Sequence, residues 1–255
     1  MAGLLEGRNA LVMGARNKWS IAWEIAERFA GQGARVALTY QGEREENVVR
    51  ELADKINATM TPCDVTDSDQ MESAFRRIGQ EFGTLDILVH AIAHAKREEL
   101  AGSYSDTSRD GFAMAQNISV YSLVEAARLA APLMTNGGSI QTLTYLGAER
   151  VVQNYNVMGV AKAALEASVR YLANDLGPKN IRVNALSAGP VKTLAARGIS
   201  DFDVVLQAVA AKAPLRRNVN QSDVADVALF LASDLSRAVT GETLHVDNGY
   251  NIMGL

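Results

Sequence analysis

Short β-branched and aliphatic runs alternate with longer amphipathic stretches along the whole chain. Seven runs are apolar on both faces and read as buried strands: 9–14 (NALVMG), 34–40 (ARVALTY), 60–63, 85–92 (LDILVHAI), 138–145 (GSIQTLTY), 181–188 (IRVNALSA) and 243–247 (TLHVD). Between them, IAWEIAERFAGQG, ENVVRELADKI, QMESAFRRIGQEFG, SLVEAARLAAPLM, GVAKAALEASVRYLANDLG and SDVADVALFLASD repeat apolar residues at three- and four-residue spacing, as helices do. Such alternation predicts an α/β fold, a seven-stranded parallel sheet doubly wound with helices on both faces. No Pro/Gly/Ser-rich linker, repeat or charge block interrupts the pattern, so residues 1–255 read as one domain.

Composition narrows the function class. A chain of 255 residues with 48% hydrophobic content can bury a full core, and a net charge of -4 carries no basic footprint for nucleic acid or an anionic membrane surface. No cationic leader opens the sequence and no apolar run approaches spanning length. The lone Cys63 reads as a small buried hydrophobe in a reducing compartment, so a cytoplasmic protein is expected. His90 and His94 lie where a strand runs into a loop, with no second ligand cluster, and His245 belongs to the last strand; no metal site is expected.

The richest stretch is YNVMGVAK, which sets Tyr155, Met158 and Lys162 on one helical stripe. A cation beside a phenol favours its ionised form, and the pair can serve a developing oxyanion. Many unrelated helices hold such a pair, but here a second tyrosine, Tyr145, follows an apolar strand. At the other end, GARNKWSIAWEIA places Gly14 between the first strand and the first helix, where backbone amides bind phosphate. Ser20 and Ile21 stand where a dinucleotide fingerprint has glycines, so a plain turn capped by Ser20 is the alternative. After the second strand, Gln41 of TYQGER can bond ribose hydroxyls and favours NADH, while nearby Arg44 leaves NADPH open. Asp64 and Val65 end the third strand and Ile92 the fourth, positions beside adenine and ribose in such sheets, or simply a turn residue and core.

Taken with Tyr145 and SAGPVKTLAARGI at 187–199, these motifs resemble the bacterial NADH-dependent enoyl-[acyl-carrier-protein] reductases, a divergent branch of the short-chain dehydrogenase/reductase superfamily, from end to end. Ordinary members place the tyrosine four residues before the lysine; here that position is Met158. The resemblance implies a Rossmann fold and reduction of the trans-2 double bond of an enoyl thioester on acyl carrier protein, the last step of fatty acid elongation. It implies that Tyr155 bonds the thioester oxygen, Lys162 holds the nicotinamide ribose, and Tyr145 lines the acyl pocket near the double bond. Gly14, Ser20, Ile21, Gln41, Asp64, Val65, Ile92, Val191, Lys192, Thr193, Leu194 and Ala195 would contact the cofactor. Ala95, Met158, Ala195, Ile199 and Phe202 would contact substrate, the last three from a lid within a loop at about 193–205 that orders on ligand. A homotetramer is also implied. Ala91 and Ala93 replace the serine and glycine frequent in the family, and Trp19 and Trp23 are unusual there. The rival readings are a carbonyl reductase of the same superfamily and a dinucleotide-binding protein without turnover.

Overall fold

The computed structural model describes residues 3–193 and 202–254. Seven strands form one parallel sheet: β1 (Asn9–Met13), β2 (Arg35–Tyr40), β3 (Thr59–Pro62), β4 (Ile87–His90), β5 (Gly138–Thr144), β6 (Ile181–Ala188) and β7 (Thr243–Val246). Their spatial order is β3-β2-β1-β4-β5-β6-β7, so the winding reverses between β1 and β4. The period of two along a strand divides the core: Leu11 and Met13 of β1 face one layer, Ala10 and Val12 the other.

Helices α1 (Ile21–Gly31), α2 (Glu43–Lys55) and α8 (Gln221–Ala232) cover one face, through Ile25, Phe29, Leu52 and Ala228. On the other face, α3 (Ser68–Phe82), α5 (Ser122–Ala130) and α6 (Asn156–Leu176) contribute Phe75, Leu123 and Leu165. The Rossmann-type architecture is thus the one expected from the strand-helix alternation.

Two helices escaped the hydrophobic pattern. One is α4 (Arg109–Gln116), capped by Ser108, which continues through a π-helical segment at Asn117–Tyr121 into α5. Its eight residues bury only Gly111 and Ala115, too few to mark an apolar stripe. The other, α7 (Phe202–Lys212), is apolar almost throughout but buries Leu206 and Val209, so no amphipathic period stands out. Five predicted strands run one or two residues past the observed carboxyl end, at Gly14, Cys63, Ala91 and Ile92, Tyr145, and Asp247. Cys63 and Ala91 still donate to carbonyls of the neighbouring strands, those of Tyr40 and Met13, whereas Tyr145 opens the connection that follows β5.

Candidate active site

Gly14 occupies the switch point itself. Its φ is +99°, and a Cβ there would lie 2.3 Å from the carbonyl oxygen of Ala91 and 3.3 Å from Ile92 Cδ1. Only glycine permits both the backbone turn and the approach of β1 to the end of β4. The turn closes when Ser20 caps α1: its hydroxyl accepts from the Trp23 amide (3.2 Å) and donates to the Asn17 carbonyl (2.8 Å). The cap and a phosphate site are compatible, because the helix still presents its amino end, with Ile21, at the rim. Trp23 is buried in the α1 layer, whereas Trp19 is half exposed, with the Lys18 ammonium 4.9 Å from its ring centre.

Further along the rim, Gln41 Nε2 donates to Asp64 Oδ2 at 3.1 Å, joining the ends of β2 and β3. Burial opposes ionisation of Asp64, but hydrogen bonds from Thr66 and Gln41 outweigh it and hold the carboxyl below its ordinary pKa. Arg16 is held by Glu45 at 2.6 Å, and Arg44 is exposed. Val65 is buried in the same core layer as Met71, while Ile92 packs at the edge of that layer and against Gly14. Cys63 is buried as expected, its thiol pushed up to about 12 by burial and then by Asp64.

The two tyrosines come together. Tyr145 follows β5 and Tyr155 is the cap residue before α6, their rings meeting edge to face with centroids 5.1 Å apart. Tyr155 therefore precedes the helical stripe rather than lying on it, a correction to the sequence reading. Its ring is admitted by Gly147, where a Cβ would lie 2.5 Å from Tyr155 Cδ1. Protonation is corrected as well: burial, and secondarily Tyr145, push the Tyr155 phenol up, and burial pushes Tyr145 up to about 12. At neutral pH both are hydrogen-bond donors, which suits an incoming carbonyl oxygen better than a phenolate would.

Lys162 lies in the buried stripe of α6, between Met158 and Glu166. Its Nζ donates to the Leu143 carbonyl of β5 at 2.7 Å, and burial lowers its pKa to about 8 against the opposing pull of Glu166. His90 lies in the same core, with Nε2 2.7 Å from Ser122 Oγ and Nδ1 3.1 Å from Thr142 Oγ1. Burial and then Lys162 lower its pKa to about 3, so it is neutral and structural. His245 contacts Glu149 at 2.9 Å, and no metal-binding group exists among the described residues.

A cavity of about 370 Å³ opens at this rim, lined by Ile21, Ala95, Tyr145, Tyr155, Met158, Val191, Thr193 and Phe202. Lys162 and the Gln41–Asp64 pair are outside its wall. Sequence reasoning did not single out Leu100, Val152 or Val205, which supply further apolar wall, nor Arg16 and Arg97, which supply charge. Leu100 and Val152 come from irregular connections, where no period marks a residue as facing a ligand. Lys192 points outward to Asp203 at 3.7 Å, while its carbonyl and that of Trp19 are both bonded by Gln221 Nε2, tying this segment to the first turn. Leu194, Ala195 and Ile199, with most of the expected lid, lie outside the described residues.

A family model described as enoyl-(acyl carrier protein) reductase matches residues 14–251. The enoyl-[acyl-carrier-protein] reductase (NADH) of Bacillus cereus is 56% identical over 254 residues, covering 98% of this chain and 99% of its own length. The Bacillus subtilis enzyme of the same name is 55% identical, with 97% of each chain covered. A crystal structure of the Bacillus cereus enzyme with NADP+ and an indole naphthyridinone superposes with a TM-score of 0.98 at 55% identity, covering 99% of this chain and 100% of that one. For the NADH enzyme of Aquifex aeolicus the TM-score is 0.96 at 48% identity, with 99% and 100% covered. By sequence over nearly its whole length, and by a fold that superposes on solved members, this chain belongs to the enoyl-[acyl-carrier-protein] reductase family.

Proposed function

We propose that the chain reduces the trans-2 double bond of enoyl thioesters carried on acyl carrier protein, with NADH as reductant, in the last step of the fatty acid elongation cycle in the cytoplasm. The observation that carries this reading is the pair of phenols, Tyr145 and Tyr155, meeting at the wall of an apolar cavity, with a buried lysine on the helix that Tyr155 caps. The residues present fit a dinucleotide: a glycine cradle at Gly14, a helix amino terminus at Ser20 and Ile21, and a ribose-sized polar pair at Gln41 and Asp64. Bound there, NADH would supply the hydride that adds to the β-carbon of the enoyl group, and a proton taken up from solvent at the α-carbon would complete the saturated thioester.

As charge moves to the thioester oxygen, Tyr155 donates a hydrogen bond to it, worth about 3 kcal/mol if preorganised. Lys162 holds the nicotinamide ribose and supplies positive potential. Tyr145 packs Tyr155 in place and borders the acyl chain, with Met158, Ala95 and Phe202 completing an apolar wall that excludes water. Met158 has no proton to give, so the phenol four residues before the lysine in carbonyl reductases has no counterpart here. The test is loss of NADH absorbance with a crotonyl thioester, compared with a 3-ketoacyl thioester and with no acceptor. Consumption is expected with the first alone, and consumption confined to the ketoacyl thioester would reverse the assignment.

Cofactor choice follows from the charge around Gln41. The first turn of α2 carries Glu43, Glu45 and Glu46, and Arg16 is already paired with Glu45, so a 2′-phosphate would meet acidic groups. NADH is expected to be preferred over NADPH by about tenfold in kcat/KM, about 1.4 kcal/mol. Equal efficiencies would mean that Arg16 or Arg44 turns to the phosphate.

The homotetramer is proposed on exposed aromatic and aliphatic residues of the α4–α6 region: Tyr121 beside α5, Phe112 on α4, and Val160 and Tyr171 on α6. The apolar stripe of α5 itself is core, so the contact would use these outer residues. Light scattering at micromolar concentration is expected to read four chains, and a monomer would end that proposal.

A further inference from the structure

Two buried charges lie one turn apart in the core-facing stripe of α6, an arrangement the reaction as described above uses only in part. Lys162 donates to the Leu143 carbonyl at 2.7 Å, and Glu166 accepts the hydroxyl of the next residue, Thr144, also at 2.7 Å. Both are buried. Successive residues at the end of β5 are thus fastened to successive turns of α6, immediately before Tyr145. Thr144 also lines the cavity. A carboxylate this deep needs a reason, since burial of an ion costs several kcal/mol unless it is compensated.

We infer that Glu166 is a positioning residue for the reduction: it anchors Thr144, and with it the approach of Tyr145 to the cavity, and its negative charge one turn away keeps Lys162 in the ammonium form that binds the nicotinamide ribose. The inference rests on the proposed ribose-binding role of Lys162. The electrostatics run in the same direction. Burial lowers the Lys162 pKa to about 8, and Glu166 is the group that opposes the fall. His90, from β4, faces the lysine from below and is neutral. Glu166 is itself raised by burial, brought back by the Thr144 hydroxyl, raised by Glu149 after β5, and lowered by His245 of β7 and Arg170 of α6. NADH binding through an ammonium is complete below the Lys162 pKa and is lost as pH rises through about 8. Removal of the Glu166 charge must therefore move that loss to lower pH.

The experiment is NADH binding by fluorescence from pH 6 to pH 9 for the wild-type protein, Glu166→Gln, Thr144→Val and Lys162→Met. Glutamine preserves the size and the acceptor for Thr144 but not the charge. The midpoint of the alkaline loss is expected to fall by about half a pH unit or more in Glu166→Gln, with affinity at pH 6 within about twofold of wild type. Thr144→Val removes a bond that favours the carboxylate, so its midpoint is expected to move the same way by less, with kcat reduced more than KM is raised. A purely structural Glu166 would lower the melting temperature and leave the midpoint where it was. Superposed wild-type and Glu166→Gln curves overturn the inference, and if Glu166→Gln does not fold, an unmoved midpoint in Thr144→Val overturns it. Wild-type affinity in Lys162→Met would instead refute the ribose-binding reading on which the inference stands.

Discussion

Lys162→Met is expected to weaken NADH binding by at least about 100-fold, about 2.7 kcal/mol, and to lower kcat/KM at least as much. The ammonium is the buried cation of the site, delivered by α6 and aimed by the Leu143 carbonyl, and methionine matches its length without its charge. Stability should move the other way. Burial lowers the lysine pKa from 10.5 to about 8, a cost of about 3 kcal/mol that is fully present below pH 8 and relieved as pH rises towards 10.5. The substitution removes that cost and leaves the Leu143 carbonyl without its donor, about 1 kcal/mol in return. A raised melting temperature with lost cofactor affinity is therefore the expected signature, checked by calorimetry and fluorescence titration on the same sample. Tyr155→Phe should show the complementary pattern, with NADH affinity within about threefold of wild type and kcat lowered about tenfold or more, because its hydroxyl acts on substrate. Unchanged NADH affinity in Lys162→Met, or lost affinity in Tyr155→Phe, would exchange or refute the two roles.

Gly14→Ala is expected to be nearly as damaging by a different route. A methyl group at this position would lie 2.3 Å from the Ala91 carbonyl oxygen, a backbone atom that cannot swing aside, at a φ of +99° that side chains rarely adopt. Strain and clash together should cost about 3 kcal/mol or more. To relieve them, β1 and β4 must part at their carboxyl ends, which disturbs the first turn and Ile92 together. Urea unfolding should show the loss of stability, and residual folded protein should bind NADH poorly. Gly7→Ala makes a useful control: its φ is also positive, but a Cβ there meets nothing within 4 Å. Near-wild-type stability in Gly14→Ala would mean that the switch point is more pliable than its packing implies.

The fold was legible because each layer repeats one simple rule. Central strands buried on both faces are mostly apolar, and helices covering them are apolar on one stripe, so seven strands and six helices could be read from the pattern of side chains, although the edge strands β3 and β7 are only partly buried. What escaped was whatever buries little: α4 with its π-helical continuation, and α7. Within the site, Tyr145, Tyr155 and Lys162 could be named from spacing and resemblance, but not the protonation state of the phenols. A cation nearby in sequence suggested an ionised tyrosine, while the folded protein buries the ring and directs the ammonium to the Leu143 carbonyl instead. Gly147 was invisible for the same reason: its need for hydrogen in place of a methyl group arises from a ring eight residues away. Where predicted strands overran the ladder the outcome was mixed: Tyr145 lines the cavity, whereas Ile92 packs against the core and Cys63 is buried within it.

Hydride is expected to reach the β-carbon of an enoyl thioester bound against Tyr145 and Tyr155, and isotope transfer locates where it arrives. NADH deuterated at nicotinamide C4 on each face in turn, incubated with the protein and a crotonyl thioester in ordinary water, should yield a saturated butyryl thioester carrying one deuterium at C3 from one of the two labels. Mass spectrometry with fragment assignment locates it. No transfer to C3 from either label, or deuterium delivered instead to the carbinol carbon when a 3-ketoacyl thioester is supplied, would rule out enoyl reduction at this site.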